Sequence, residues 1–249
     1  MAEKKKVIIR IKRQDGPQAK PHWEEFHLAW RPYLNIITCL REVQKNPRTF
    51  DGTPTTPVAW ESNCLEEVCG ICTMVINGKV RQSCSALVEK LTQPITIEPM
   101  RKFPVVRDLV VDRSRLFENL KRVRAWVAID GTHALGPGPR IAPEDQQENY
   151  LLSRCFSCGC CLDVCPQVNG RADFVGAMTI NQVRLFNSHP LGKMNQAERL
   201  LALMAAGGIE DCGNSQNCQK ACPVGIPLVA SIAKVNLEIT QNIFSLLKK

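Results

Sequence analysis

The sequence lacks the features that mark membrane-spanning and secreted chains. None of its 249 residues falls in an uninterrupted apolar run of about 18 or more, the length that a transmembrane helix requires. Residues 1–13 are basic, but Val7, Ile9 and Ile11 alternate with charged residues, so the apolar segment of a secretory signal peptide is missing. The sequence predicts a protein that stays in the cytosol or on the cytosolic face of a membrane.

Motifs for substrate chemistry are also missing. The chain contains no Gly-x-Gly-x-x-Gly sequence, no phosphate-binding loop and no nucleophile elbow. Its histidines have no metal-ligand spacing, and a packing or surface role is the simpler interpretation for His22, His27, His133 and His189. These absences argue against an enzyme that acts on a substrate by itself.

The composition is that of an ordinary globular protein. Hydrophobic residues make up 44% and charged residues 22% of the chain, which excludes disorder. The length favours two domains. A net charge of +8 favours nucleic acid, an anionic membrane or an acidic protein as partner, and does not choose among them.

The first part of the chain has the pattern of a small mixed unit. Alternating, β-branched and aromatic residues predict strands, and Asn77–Gly78 is typical of a type I′ hairpin turn. A spacing of three or four between apolar residues predicts a helix that Pro47 ends. The predicted elements are strands at 7–12, 26–30 and 94–99, a helix at 36–45 and a hairpin at 74–80.

After residue 110 the pattern becomes helical. Residues 109–127 are amphipathic, Gly136–Pro139 reads as a rigid linker, and 172–186, 194–206 and 226–247 have helical periodicity. The predicted fold class is α+β, with a mixed domain at 1–110 and a helical domain at 111–249.

Thirteen cysteines are the strongest chemical signal. The cytosol keeps thiols reduced, and the number is odd, so a disulfide framework is not expected. Closely spaced thiolates bind metal.

The first set is Cys64, Cys69, Cys72 and Cys84, with the form C-x4-C-x2-C and a later fourth cysteine. This is the spacing of plant-type [2Fe–2S] proteins. Gly70 allows the loop to turn tightly and to direct N–H groups toward the sulfides. The alternative is a zinc site, which is usually built from two C-x2-C pairs.

Two further runs end in Cys-Pro. The first, from Cys155 to Pro166, contains C-x2-C-x2-C-x3-C-P, and the second, from Cys212 to Pro223, has Ser215 where the second cysteine is expected. In two-cluster ferredoxins the fourth cysteine of each run binds the other cluster. This rule predicts a [4Fe–4S] cluster on Cys155, Cys158, Cys161 and Cys222, and a three-thiolate [3Fe–4S] cluster on Cys165, Cys212 and Cys218.

Three cysteine or serine positions stay outside these assignments. Ser215 as an alkoxide ligand to a fourth iron is the alternative for the third cluster, although clusters are held chiefly by thiolate. Cys39 and Cys160 are interpreted as small buried apolar residues.

This order of motifs resembles the iron–sulfur subunits of succinate dehydrogenase and fumarate reductase. The similarity extends over residues 63–72 with Cys84, residues 107–112 and both Cys-Pro runs. The resemblance implies a β-grasp [2Fe–2S] domain, a helical ferredoxin domain, a flavoprotein partner with FAD, and a membrane anchor with quinone and haem b. Electrons would pass between succinate or fumarate at the FAD and the quinone. No nucleic-acid partner is implied.

One departure refines the resemblance. Ubiquinone-linked members have Trp shortly after the first Cys-Pro and His after the first cysteine of the second run. Here the corresponding positions are Gln167–Gly170 and Gly213. Together with residues 63–67 and 212–217, they are more similar to the menaquinone-linked branch with a two-haem anchor. Another flavoprotein-linked respiratory complex and a basic zinc module are the alternatives.

Overall fold

The computed structural model describes residues 6–128 and 139–247, with side chains as far as residue 244. The chain divides into two compact units, Met1–Arg113 and Ser114–Lys249. His133 and the predicted linker, except Pro139, lie outside the described residues. None of the helices within the described ranges combines the length and apolar content that crossing a bilayer requires.

The first unit contains a mixed sheet. The strands of this unit are β1 (Lys6–Arg13), β2 (His22–Ala29), β3 (Thr73–Ile76), β4 (Lys79–Gln82), β5 (Ile95–Glu98), β6 (Val105–Arg107) and β7 (Val110–Val111). Within the described residues the strands of the sheet have the order β2-β1-β5-β3-β4, and β1 and β5 are parallel while the other neighbours are antiparallel. A short hairpin, β6–β7, follows the sheet.

One helix packs on this sheet, as in a β-grasp fold. Helix α1 (Ile36–Lys45) has the predicted bounds, and its apolar residues share a core with β1. Along β1 the residues Val7, Ile9 and Ile11 are fully buried, which follows from the period of two in a strand. The fold predicted for this unit is confirmed. Strand β2 begins four residues earlier than predicted, because His22 pairs with Arg13 at the far end of β1.

The predicted hairpin places the fourth cysteine of the first set. Asn77 and Gly78 have φ values of 48° and 78°, so both adopt the left-handed conformation of a type I′ turn. Strands β3 and β4 then pair from Ile76–Lys79 to Thr73–Gln82. Cys84 follows β4 after one residue, and Ser83 N donates to Cys72 O at 3.1 Å, so the chain returns to Cys72, which precedes β3.

The second unit is helical, as predicted. Between Val168 and Asp173 the chain forms a two-stranded hairpin of β8 (Val168–Asn169) and β9 (Ala172–Asp173). In its described parts the helices are α2 (Ser114–Arg122), α3 (Pro143–Ser153), α4 (Cys160–Asp163), α5 (Gly176–Ser188), α6 (Gln196–Met204), α7 (Asn217–Ala221) and α8 (Leu228–Leu247), with 3-10 turns at Val88–Lys90 in the first unit and at Gly192–Asn195 and Ile209–Asp211 in the second.

Helix α5 occupies the centre of this unit and packs against α3, α4 and α8. Its predicted start at residue 172 is wrong by four residues, because Ala172 and Asp173 pair with β8 instead. Gly176 begins the helix with φ 84°, and a Cβ there would lie 2.8 Å from Leu162 Cγ. Glycine therefore supplies both the left-handed backbone and the close approach of α4, which carries Cys160 and Cys161.

A buried polar network joins α3, α5 and α8. Asn181 Nδ2 donates to Leu152 O at 3.2 Å, and Ser231 Oγ donates to Asn181 Oδ1 at 3.1 Å. Arg184 Nη1 donates to Ser231 Oγ at 3.2 Å. Because buried polar groups are costly when unpaired, this network fixes the helices that flank both Cys-Pro runs.

Candidate metal centres

The first cysteine loop has the backbone of an amide-lined nest. Leu65, Glu67 and Gly70 lie between or beside its cysteines, with φ values of 63°, 60° and 71°. Left-handed residues within a loop turn successive N–H groups toward the same side, where they favour an anion. Leu65 and Glu67 adopt this conformation without being glycine, at a steric cost. The loop thus holds a strained conformation that suits a negatively charged ligand.

Hydrogen bonds reach the first sulfur of this loop. The Glu66 N–H donates to Cys64 Sγ at 3.4 Å. This bond, with others from Val68 and Cys69, lowers the pKa of Cys64 to about 7, because hydrogen bonds to the thiolate favour the charged form. The backbone therefore prepares Cys64 as a thiolate, the form in which cysteine binds metal.

The fourth cysteine lies beside the other members of the set. Burial raises the pKa of Cys84 to about 11, with further contributions from a hydrogen bond with Cys72 and from the charges of Cys72 and Cys64. Such contributions require that these thiols lie near one another. Cys72 and Cys84 are also packed with Ile37 and Trp60 in a small apolar cluster. The structure brings Cys64, Cys69, Cys72 and Cys84 together.

Asn35 fixes the peptide of the fourth cysteine. Its side chain caps α1 by accepting from Thr38 N at 2.8 Å, and its Nδ2 donates to Cys84 O at 3.1 Å. Ser83 Oγ donates to Cys72 O at 2.9 Å. Two of the cysteine peptides are therefore held by side chains that the sequence analysis did not single out. The Asn that precedes a helix is a recognisable capping signal, but its bond to Cys84 spans a distance in sequence that no local pattern reveals.

Arg113 braces the turn between Cys69 and Cys72. Its Nη1 donates to Gly70 O at 2.8 Å and its Nη2 donates to Ile71 O at 2.5 Å. Thr73 Oγ1 also donates to Gly70 O, at 2.7 Å. The guanidinium geometry suits two adjacent carbonyls, since its N–H groups project as a rigid fork.

Replacing Arg113 with methionine is expected to loosen this turn. Ile71 O loses the Arg113 donor, at a cost of about 1–3 kcal/mol, whereas Gly70 O keeps the bond from Thr73. In the assembled complex we expect faster loss of the binuclear EPR signal during incubation with a mild chelator. Arg101→Met is the matched control, because Arg101 pairs with Glu98 on the surface. Equal loss rates in the two variants would show that Arg113 does not support the loop.

The second unit contains two recesses lined by cysteines of both Cys-Pro runs. The first is here called the Cys155 recess. The second is called the Cys165 recess. The Cys155 recess is lined by Cys155, Cys158, Cys160, Cys161 and Cys222, and the Cys165 recess by Cys165, Cys212, Ser215 and Cys218.

The thiols within each recess influence one another electrostatically. Burial raises the pKa of Cys155, and the charges of Cys158 and Cys222 raise it further. Burial likewise raises the pKa of Cys161, with added effects of Cys158 and Cys155. Each of the two thiols thus has its strongest charge effects from members of the same predicted ligand set.

The Cys165 recess shows the same grouping. Burial raises the pKa of Cys218, and the charges of Cys165 and Cys212 raise it further. Ser215 lines this recess and is exposed, so the Cys165 recess has three cysteines and a serine where the Cys155 recess has five cysteines. The predicted sets of residues are therefore brought together as the fourth-cysteine rule requires.

Cys39 and Cys160 are both completely buried. Burial raises the pKa of Cys39 to about 12, which leaves it a neutral thiol. Cys160 lines the Cys155 recess beside Cys161. That neither residue is a ligand stays a prediction.

The donor atoms fit iron–sulfur clusters. All three sites offer thiols, and clusters are bound by thiolates.

Comparisons with known proteins identify two cluster-binding regions. Residues 8–118 match the family described as 2Fe-2S iron-sulfur cluster binding domain, and residues 151–226 match the family described as 4Fe-4S dicluster domain. These matches support iron–sulfur chemistry against the zinc module.

Relatives with this arrangement are known from several bacteria. The chain is 55% identical over 244 residues to the succinate dehydrogenase iron-sulfur subunit of Bacillus subtilis. The aligned region covers 98% of this chain and 96% of that protein. It is 30% identical over 232 residues to the fumarate reductase iron-sulfur subunit of Wolinella succinogenes, with 91% and 94% covered.

A solved structure has the same fold. A chain of the Mycobacterium smegmatis Sdh1 complex in the apo form aligns with a TM-score of 0.76 and 23% identity, covering 97% of this chain and 98% of that chain.

The members of this family carry [2Fe–2S], [4Fe–4S] and [3Fe–4S] clusters and work with a flavoprotein and a membrane anchor. The resemblance inferred from the cysteine motifs is confirmed. The chain belongs to the iron–sulfur subunits of succinate dehydrogenase and fumarate reductase, the electron-transfer components of these oxidoreductases.

Proposed function

We propose that eleven thiolates of this subunit hold its clusters in the following sets. Cys64, Cys69, Cys72 and Cys84 bind [2Fe–2S]; Cys155, Cys158, Cys161 and Cys222 bind [4Fe–4S]; Cys165, Cys212 and Cys218 bind [3Fe–4S]. The observation that carries this proposal is the pair of recesses in the second unit, each lined by cysteines from both runs. When bound, the clusters supply one-electron carriers between the flavoprotein and the anchor.

The residues around the two recesses differ in how far they exclude water. The Cys155 recess is walled by Met178, Ile226 and Leu228, all of which are buried. In contrast, residues 213–217 beside the Cys165 recess are exposed. Since burial and hydrogen bonding tune reduction potentials, the two recesses give their clusters different environments. The exposed loop is also where a partner can approach.

The proposed partners are a menaquinone-linked anchor with two haem b groups and a flavoprotein with FAD. Gln167 and Gly213 support this branch, because they stand where ubiquinone-linked members have Trp and His. Haem quantification and quinone extraction from the purified complex test it. Two haems and menaquinone are expected, and ubiquinone with a single haem would contradict it.

We also propose that the subunit lies on the cytoplasmic face of the membrane and that its domains meet near residue 110. Membership of a family whose subunits work with a membrane anchor supports the first proposal, and the division of the chain after Arg113 supports the second. Protease digestion of inverted membrane vesicles is expected to cleave the subunit, whereas digestion of right-side-out vesicles is not. Cleavage in right-side-out vesicles would contradict this location.

Assembly provides the direct test of the function. The subunit is expected to co-purify with a flavoprotein and a helical membrane protein, and to contain about nine iron atoms per chain with acid-labile sulfide. Mass spectrometry of the intact complex and metal analysis measure both. A colourless protein with stoichiometric zinc would contradict the proposal, as would a stable monomer that has no partner.

A further inference from the structure

The side chain of Gln167 lies in the wall of the Cys165 recess. It follows Cys165 and Pro166 in the chain, and it is half-buried. Its amide nitrogen lies close to Gly213 of the second run. A primary amide carries two N–H donors. These donors belong to a side chain that lines the same recess as Cys165, Cys212 and Cys218.

Gly213 provides the space that the amide occupies. A Cβ at Gly213 would lie 2.6 Å from Gln167 Nε2 and 3.5 Å from its Cδ. Gly213 is not among the residues with positive φ, so its backbone conformation does not require glycine. A methyl group at this position would therefore displace the amide, which is the flexible end of the Gln167 side chain. Gln167 directly follows the first Cys-Pro run and Gly213 belongs to the second, so the contact joins the two runs.

We propose that the Gln167 amide is a positioning and tuning group, which donates an N–H hydrogen bond to a sulfur in the Cys165 recess and is kept there by Gly213. This inference rests on the ligand set proposed above for the trinuclear cluster. Hydrogen bonds to the sulfurs of a cluster are among the factors that set its reduction potential. A donor stabilises the more negative, reduced state, since it favours the form with more charge on sulfur. The amide therefore raises the potential of the cluster nearest the exposed loop.

The test is a potentiometric EPR titration of the assembled complex that carries Gln167→Met. Methionine keeps the length of the side chain and removes both N–H donors. At a fixed applied potential the ratio of oxidised to reduced trinuclear cluster is expected to rise about tenfold, a downward shift of about 59 mV for a one-electron couple. The [2Fe–2S] and [4Fe–4S] potentials in the same sample are the internal controls and are expected to stay unchanged.

A second pair of variants separates tuning from space-filling. Gly213→Ala retains the amide but displaces it, so it is expected to lower the same potential. In a Gln167→Ala background the displaced group is already gone, and Gly213→Ala is expected to add no further shift. If Gln167→Met releases the cluster, Gly213→Ala alone provides the measurement.

The outcomes are distinguishable. An unchanged trinuclear potential in both Gln167→Met and Gly213→Ala would overturn the inference and leave the ligand set intact. Additive shifts of Gly213→Ala in the two backgrounds would also overturn it, since the glycine would then act independently of the amide. A parent complex with no third cluster would overturn the ligand set and this inference together.

Discussion

Replacing Cys165 with alanine is expected to abolish the trinuclear EPR signal and to leave the [4Fe–4S] signal in place, although Cys165 belongs to the same run as three of the [4Fe–4S] ligands. Its thiol lines the recess with Cys212 and Cys218 instead. Without it two thiolates remain, too few to hold the cluster. Iron is expected to fall from about nine to about six atoms per chain.

Cys222→Ala is the reciprocal variant. Cys222 lines the Cys155 recess, away from its neighbours in the second run. The reduced-state signal of [4Fe–4S] is expected to disappear, because the cube loses the ligand of one corner iron. The original trinuclear signal is expected to persist. Iron analysis and EPR of both complexes measure these effects. If each variant instead removed the cluster of its own run, the ligands would pair within the runs and our assignment would fail.

Ser215→Cys is expected to convert the trinuclear site into a tetranuclear one. Ser215 lines the Cys165 recess beside the three proposed ligands, so a thiol at this position supplies the fourth donor. Iron is expected to rise by about one atom per chain, and the oxidised trinuclear EPR signal is expected to be lost. The reduction potential of this cluster is expected to decrease, because cluster type and charge set potentials over a range of roughly −700 to +450 mV. Succinate-driven quinone reduction should therefore slow.

Ser215→Ala is the control for this conversion. If the serine oxygen is not a ligand, the alanine variant keeps the trinuclear signal and the parent's iron content. Loss of a tetranuclear cluster that the parent contains would show that Ser215 had served as an alkoxide ligand. The two substitutions change the same exposed side chain, so a difference between them comes from the thiol.

Local patterns predicted the elements whose causes are local. Helix α1 has the predicted bounds because its cap, its apolar spacing and Pro47 all lie within a few residues. The Asn77–Gly78 hairpin formed because the turn residues determine it. The start of α5 was wrong because the pairing of Ala172 with Asn169 competes with helix formation. Tertiary or neighbouring contacts decide such boundaries, and a single periodicity does not include them.

Cysteine spacing predicted the sites, and it missed the residues that support them. The spacing along the chain indicates which thiols can bind the same metal centre. The braces at Asn35 and Arg113 act over many residues of sequence, as the bonds to Cys84 O and Gly70 O show. The fit of Gln167 against Gly213 likewise joins two distant loops. Such contacts are products of the fold, so they emerge only from coordinates.

The two recesses, each lined by cysteines of both runs, also affect the folding of the second unit. With both recesses loaded, residues 166–211 form a loop that is closed through metal rather than through a disulfide. By analogy with a covalent cross-link, closing a loop of this size reduces the entropy of the unfolded chain and stabilises the folded unit by about 4 kcal/mol. Helices α5 and α6 lie within that loop. Metal binding and folding are coupled in many small metal-binding domains, so we expect iron starvation to leave this segment more open to proteolysis.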